Sequence, residues 1–172
     1  MENVLLIYHA LALICDTMTQ KVTFISTLVN TIVGKPMKAP LYDEILKTCQ
    51  QIANASAEDN HEKRDDACKN LQKLCATHQG GPKDHPLQWE ALGDFTQDGD
   101  LAMDIYEIAL AIADKLKLLT FTASIYLAMA QRQNEFEATD KAIEYAKQAE
   151  MASEHIDSEE LKQEIQTFLA EI

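Results

Sequence analysis

The spacing of apolar side chains is the strongest constraint on how this chain can fold. Apolar residues recur every three or four positions between Val4 and Ile32, and the same period returns in "LYDEILKTCQQIANA", "LAMDIYEIALAIADKL" and "ATDKAIEYAKQAEMASEH". This is the period of one face of a helix, and no segment shows the two-residue alternation of a half-buried strand. Only 5 Gly and 4 Pro interrupt 172 residues. The sequence therefore predicts an all-α fold built from antiparallel helical hairpins.

One segment, "QGGPKDHP", has the strongest break signal in the chain, and the charge changes there. Residues 1–83 carry nine acids and nine bases, whereas residues 84–172 carry nineteen acids and six bases. We therefore predict an apolar N-terminal helical subdomain over residues 1–80, for packing or oligomerisation. An acidic array of helical hairpins with a C-terminal capping helix is predicted over residues 84–172. Asp157 and Glu160 have the spacing of a capping box for that last helix.

The N-terminal segment is apolar on more than one helical face and needs cover on more than one face. Whether residues 3–33 form one helix or two, broken near Asp16, stays open. An exposed apolar patch of this kind usually marks an interface, so we expect a homodimer through Val4 to Val33. Asp16 and Lys21 interrupt the apolar run before it is long enough to span a bilayer.

The net charge and the positions of the cysteines indicate which kinds of partner and which cellular compartment to expect. A net charge of −13 repels nucleic acid and anionic membranes and favours basic partners. The four cysteines lie inside apolar helical patterns, as expected of reduced thiols in a cytoplasmic protein.

Two segments of the second half carry a recognisable pattern of aromatic and small residues. "W-x-x-L-G" is followed by "A-x-x-x-Y-x-x-A", which comprise Trp89, Leu92, Gly93, Ala102, Tyr106 and Ala109. A second, weaker unit comprises Tyr126, Met129, Ala130, Ala142, Ala146 and Ala149. The pattern resembles the tetratricopeptide repeat family, over the second half of the chain only. The resemblance implies a right-handed array of helical hairpins packed on the N-terminal subdomain.

The resemblance also implies a function and a binding face. In that family the first helix of each hairpin lines a concave groove that holds a protein segment. On this chain the candidate partner-binding residues are Glu90, Asp94 and Gln97 from the first unit and Gln131, Asn134 and Glu135 from the second. The acidic side chains favour a basic or amphipathic segment. The expected function is that of a protein-binding adaptor, chaperone or regulatory subunit.

A different class of function is compatible with the same charge pattern. An acidic inhibitor or immunity protein could block a basic toxin or a nucleic-acid enzyme by presenting negative charge. Catalysis is not expected, because the sequence contains no glycine-rich phosphate loop, no G-x-S-x-G and no H-E-x-x-H. No cofactor and no metal are expected either.

A calcium site is one of two metal hypotheses that the sequence raises; the other is a set of soft ligands, His61, Cys68, Cys75 and His78, for which a core stripe is the preferred interpretation. "DFTQDGD", residues 94–100, approximates the spacing of a calcium-binding loop, but Ile105 occupies the position of the bidentate glutamate. We therefore predict no calcium binding below millimolar concentration, and a turn in which Gly99 reverses the backbone and Asp98 or Asp100 caps the next helix. Isothermal titration calorimetry tests this, and micromolar binding would contradict it.

Overall fold

The computed structural model describes residues 39–172, and this part of the chain is all-α, as predicted. Seven helices follow one another, and no strand occurs within the described range: α1 Tyr42–Ala57, α2 His61–His78, α3 Pro86–Phe95, α4 Gly99–Leu116, α5 Leu119–Glu135, α6 Thr139–Ser153 and α7 Glu159–Glu171. The expectations for residues 3–33, including the homodimer, lie outside the described residues.

The helices associate mainly in consecutive pairs. The most extensive contacts are between α5 and α6, α3 and α4, and α1 and α2. Each of these pairs is joined by a connection of three residues, which is the length typical of a helical hairpin. The last helix, α7, packs on α6 and touches α5 more lightly. This arrangement brings α3 and α5 into contact with each other and places α7 beside α5.

Short polar side chains set the starts of several helices. Asn60, Asp98 and Ser158 each accept a hydrogen bond from the backbone N–H three residues later, which satisfies a donor that the helix cannot use. Asp98 is one of the two caps expected at the turn before α4. At α7 the prediction was wrong, because Ser158 caps the helix in place of Asp157.

The packing between α3 and α4 depends on Gly93. A Cβ atom on this residue would lie 2.5 Å from the ring of Tyr106, far inside van der Waals contact. Tyr106 is completely buried there, and its hydroxyl donates to Asp94 Oδ1 at 2.7 Å. The glycine is therefore needed for close approach of an aromatic ring, since its own backbone is helical.

The residues of the second half's motif lie in the core, with one exception. Trp89, Leu92, Ala102, Tyr106, Ala109, Ala130 and Ala142 are buried. Tyr126 is half-buried and stacks with Tyr145, with ring centroids 6.5 Å apart. Whether the pairs form the right-handed array of the repeat family stays a prediction.

The segment between α2 and α3 is tied closely to the helix that follows it. Asp84 accepts hydrogen bonds from the side chains of Gln88 and Trp89, at 3.2 and 2.8 Å, and from the backbone N–H of Gly80 at 2.7 Å. A single hydrophobic cluster runs from α1 to α7 across this connection. Among the described residues, the hydrophobic cluster includes side chains on both sides of the expected break between residues 80 and 84.

We predict that Gly93→Ala destabilises the protein by about 2–3 kcal/mol, because overpacking displaces the Tyr106 ring. Tyr106→Ala should cost about 3–4 kcal/mol through the cavity that it leaves. The double variant should be more stable than the sum of the two losses implies, since alanine at position 106 gives the new methyl group room. Urea denaturation of the four proteins measures this, and strict additivity would contradict the proposed contact.

Candidate partner-binding site

Glu90 was predicted to face a partner, but its side chain is only 5% exposed. It lies where α3 meets α5, and the Ser124 hydroxyl donates a hydrogen bond to its Oε1. Its second oxygen, Oε2, is buried and has no hydrogen-bond partner among the described residues. The expectation of a surface carboxylate at this position is therefore wrong, because contact between the first helices of two hairpins encloses it.

The other acidic residue predicted on α3 is also engaged. Asp94 is half-buried and accepts the hydrogen bond from Tyr106. The Arg132 guanidinium donates to the backbone carbonyls of Gly93 and Asp94, at 3.3 and 3.2 Å, and pairs with Glu135 at 3.0 Å. These bonds connect the C-terminal end of α3 to the C-terminal half of α5. Asp94 therefore serves the helix packing, whereas Glu135 pairs with Arg132 within α5 and keeps 46% of its side chain exposed.

Burial dominates the electrostatics of this polar cluster. Desolvation raises the pKa of Glu90 to about 8, and the nearby charges of Asp94 and Glu164 act in the same direction against the Ser124 hydrogen bond. The carboxyl group is thus mostly protonated at neutral pH, which suits an oxygen that lacks a partner. Desolvation and Asp94 also raise the pKa of Tyr106, which stays a neutral hydrogen-bond donor.

An open groove lies beside this cluster, between α5 and α7. It has a volume of about 400 Å³ and is lined by Gln131, Glu160, Gln163, Glu164, Thr167, Phe168 and Glu171. Six of these residues lie on α7 at the spacing of a single helical face. Desolvation raises the pKa of Glu164, and a hydrogen bond from Gln131 opposes that rise. Every ionisable side chain that lines the groove is a glutamate.

The six predicted partner-binding residues do not share one surface. Gln131 lines the groove against α7, whereas Gln97 lines a separate groove of about 200 Å³ with Ile52, Arg64, Asp65, Cys68 and Phe95. Asn134 and Glu135 are exposed near the end of α5, and Glu90 is buried.

The sequence reasoning missed the part of the groove that α7 contributes. The sequence "EELKQEIQTFLAE" contains a pattern that indicates this polar face, because acidic and amide residues recur there at three- and four-residue spacing. The last helix was instead predicted to act only as a cap. Ser124 and Arg132, which hold the polar cluster, had no sequence signal that separated them from surface residues.

Within residues 39–172 no group of three or more His, Cys, Asp and Glu side chains is arranged to hold a metal ion. The acids of the suspected calcium loop have other roles there: Asp94 accepts from Tyr106, and Asp98 caps α4. Among the described helices, none combines the length and the apolar character needed to cross a bilayer.

Comparisons with protein-family models, curated proteins and solved structures find no match to this chain.

We predict that Glu90→Gln removes a pH dependence of stability. The pKa of Glu90 is raised from 4.5 to about 8 by folding, so its contribution to stability is complete below 4.5 and is lost as the pH rises through 8. The wild-type protein should lose about 2 kcal/mol between about pH 6.5 and 8.5 relative to the variant, which keeps the shape but cannot ionise.

This window lies above the range in which His85 titrates, since burial lowers the pKa of His85 to about 4. Chemical denaturation at several pH values measures the difference. The matched control is Glu144→Gln, which removes a carboxyl group from the exposed surface of α6. Parallel pH profiles for the wild type and the Glu90 variant would contradict the assignment.

Proposed function

We propose that this protein is a protein-binding module, an adaptor, chaperone or regulatory subunit, which holds a basic amphipathic segment of a partner. The observation that carries the proposal is the groove between α5 and α7, which offers glutamates and an aromatic ring along one face of a helix. The proposal keeps the partner type expected from the sequence and moves the binding surface from α3 to α7.

The spacing of the groove residues supports an elongated ligand. Glu160, Glu164 and Glu171 lie on one face of α7, and the rise of a helix sets the two intervals at about 6 and 10 Å. The Phe168 ring lies between the last two of these glutamates along the helix and lines the groove with them. A ligand with lysines or arginines on either side of an apolar residue matches this order of charge and apolar surface.

The charge distribution supports the same partner. The second half of the chain carries thirteen more acids than bases, and a field of one sign speeds the approach of an oppositely charged segment. Glu160 and Glu171 are exposed to water, so their attraction for a cationic segment should weaken as salt screens it, with a Debye length of about 10 Å at 0.1 M.

The resemblance to the tetratricopeptide repeat family supports binding over catalysis. Buried alanines line the α5–α6 pair, and Gly93 accommodates Tyr106 in the α3–α4 pair. Such hairpins provide a rigid frame on which polar side chains can be displayed.

We predict that a helical peptide of about 14 residues, built from lysine and leucine to match the length of α7, binds at low salt. Replacing Glu160 and Glu171 together by glutamine should weaken this binding by about tenfold, because two exposed ion pairs are lost. Fluorescence anisotropy with the labelled peptide gives the dissociation constants.

The matched control replaces Glu144 and Glu154, two exposed glutamates outside the groove, and changes the net charge equally. A peptide of the same length with glutamate in place of lysine should not bind. Equal weakening by the two double variants would show that net charge, and not the groove, attracts the peptide, and the proposal would fall.

A further inference from the structure

The Phe168 ring contacts both the protein interior and the groove. It packs against the hydrophobic core, it lines the groove between α5 and α7, and it is half-buried. Contact with the core holds the ring in place, while part of its surface stays open to a ligand. The face of an aromatic ring carries partial negative charge and attracts a cation that lies within about 6 Å of the ring centre.

Two carboxyl groups flank this ring along α7. Glu164 lies four residues before Phe168, and Glu171 lies three residues after it. Residues at these spacings are neighbours on a helix surface, with Cβ atoms about 5–6 Å apart. Both glutamates line the groove together with the ring. A cation that contacts the ring would therefore have a carboxyl group within reach on either side.

The two flanking glutamates differ in their surroundings. Glu171 is exposed, whereas Glu164 is half-buried and receives a hydrogen bond from Gln131 on the opposite wall of the groove. This bond restricts the orientation of the Glu164 carboxyl group, and burial removes part of its hydration. A partly desolvated carboxylate gains most from a cation that itself gives up water easily.

The other polar groups of the groove offer hydrogen-bond acceptors. The Thr167 hydroxyl donates to the backbone carbonyl of Gln163 at 2.9 Å, so towards a ligand its oxygen can only accept. Gln131 and Gln163 each contribute an amide oxygen as well. Among the described residues, no lysine or arginine lines this groove. The groove therefore suits a ligand that carries several donors.

A guanidinium group matches this surface better than an ammonium group does. It is planar, has five N–H donors and no acceptor, stacks on aromatic rings, and pairs with a carboxylate through two parallel hydrogen bonds. It is also more weakly hydrated than an ammonium group, so it loses less when it enters a half-buried site. An ammonium group has only three donors and no planar face.

We propose that the groove selects arginine: a guanidinium group of the partner lies against the Phe168 ring and forms its ion pair with Glu164. This inference rests on the proposed function, because it names the residue type that the same groove recognises. The groove residues then have separate roles. Exposed Glu160 and Glu171 attract any cationic segment, whereas Phe168 and Glu164 distinguish arginine from lysine.

Two helical peptides of about 14 residues test this preference; both contain leucine, and they differ only in carrying arginine or lysine. The wild type should bind the arginine peptide about tenfold more tightly, because it adds a cation–π contact and a bidentate ion pair. Phe168→Leu removes the aromatic face and should bring the ratio of the two dissociation constants close to unity. A general loss of affinity or of folded protein affects both peptides alike and cancels in this ratio.

Three further variants show which side chains determine the ratio. Phe168→Tyr keeps the ring and should keep the preference. The matched control Phe136→Leu removes an exposed ring outside the groove and should also keep it. Glu164→Gln should lower the ratio, because the parallel pair of hydrogen bonds is lost. Arginine selection is overturned if the ratio is unchanged in Phe168→Leu or in Glu164→Gln, or falls equally in Phe136→Leu.

The lysine peptide distinguishes failure of this proposal from failure of the proposed function. If the lysine peptide binds and the joint replacement of Glu160 and Glu171 by glutamine weakens it, the proposed function stands. Equal affinity of the wild type for the two peptides then rejects arginine selection alone. If neither peptide binds at low salt, the proposed function and the arginine selection are both rejected.

Discussion

The close approach of Tyr106 to Gly93 is the contact on which the other features of the structure depend. The ring takes the space that a Cβ atom would need, and this depth allows its hydroxyl to reach Asp94. Asp94 and Gly93 then present their carbonyls to Arg132 on α5. A missing methyl group in α3 therefore positions a guanidinium two helices later in the chain, and thereby positions α5 against α3.

The contact between α3 and α5 carries an energetic cost, the desolvation of a carboxyl group. When α3 and α5 come into contact, the carboxyl group of Glu90 is enclosed with a single hydroxyl partner. Buried polar groups of this kind contribute little to stability, since desolvation cancels most of the hydrogen-bond energy. Proteins usually bury a hydrophobic residue at such a position.

The glutamates in the second half of the chain lie in two environments: some are exposed to solvent and others are buried. Glu160 and Glu171 are exposed to solvent on α7. Glu90 is withdrawn from solvent, and Glu164 lies between the two environments, half-buried in the groove wall.

The sequence by itself determined the helices and most of their ends. Periodicity in "LAMDIYEIALAIADKL" gave α4, the Asp98 cap followed from local hydrogen bonding, and the fully buried Ala102 and Ala109 were recognisable as packing residues. Such features depend on neighbours within a few residues, and these neighbours are fixed by the covalent chain.

Only the tertiary structure decided which polar residues are enclosed and which face solvent. Glu90 and Glu160 are both glutamates on helices, but α5 covers the first, whereas the second lines an open groove. Ser124 and Arg132 acquired their roles from residues 34 and 38 or 39 positions earlier in the chain. Burial and hydrogen bonding at such separations depend on how whole helices pack, and local sequence patterns carry no information about that packing.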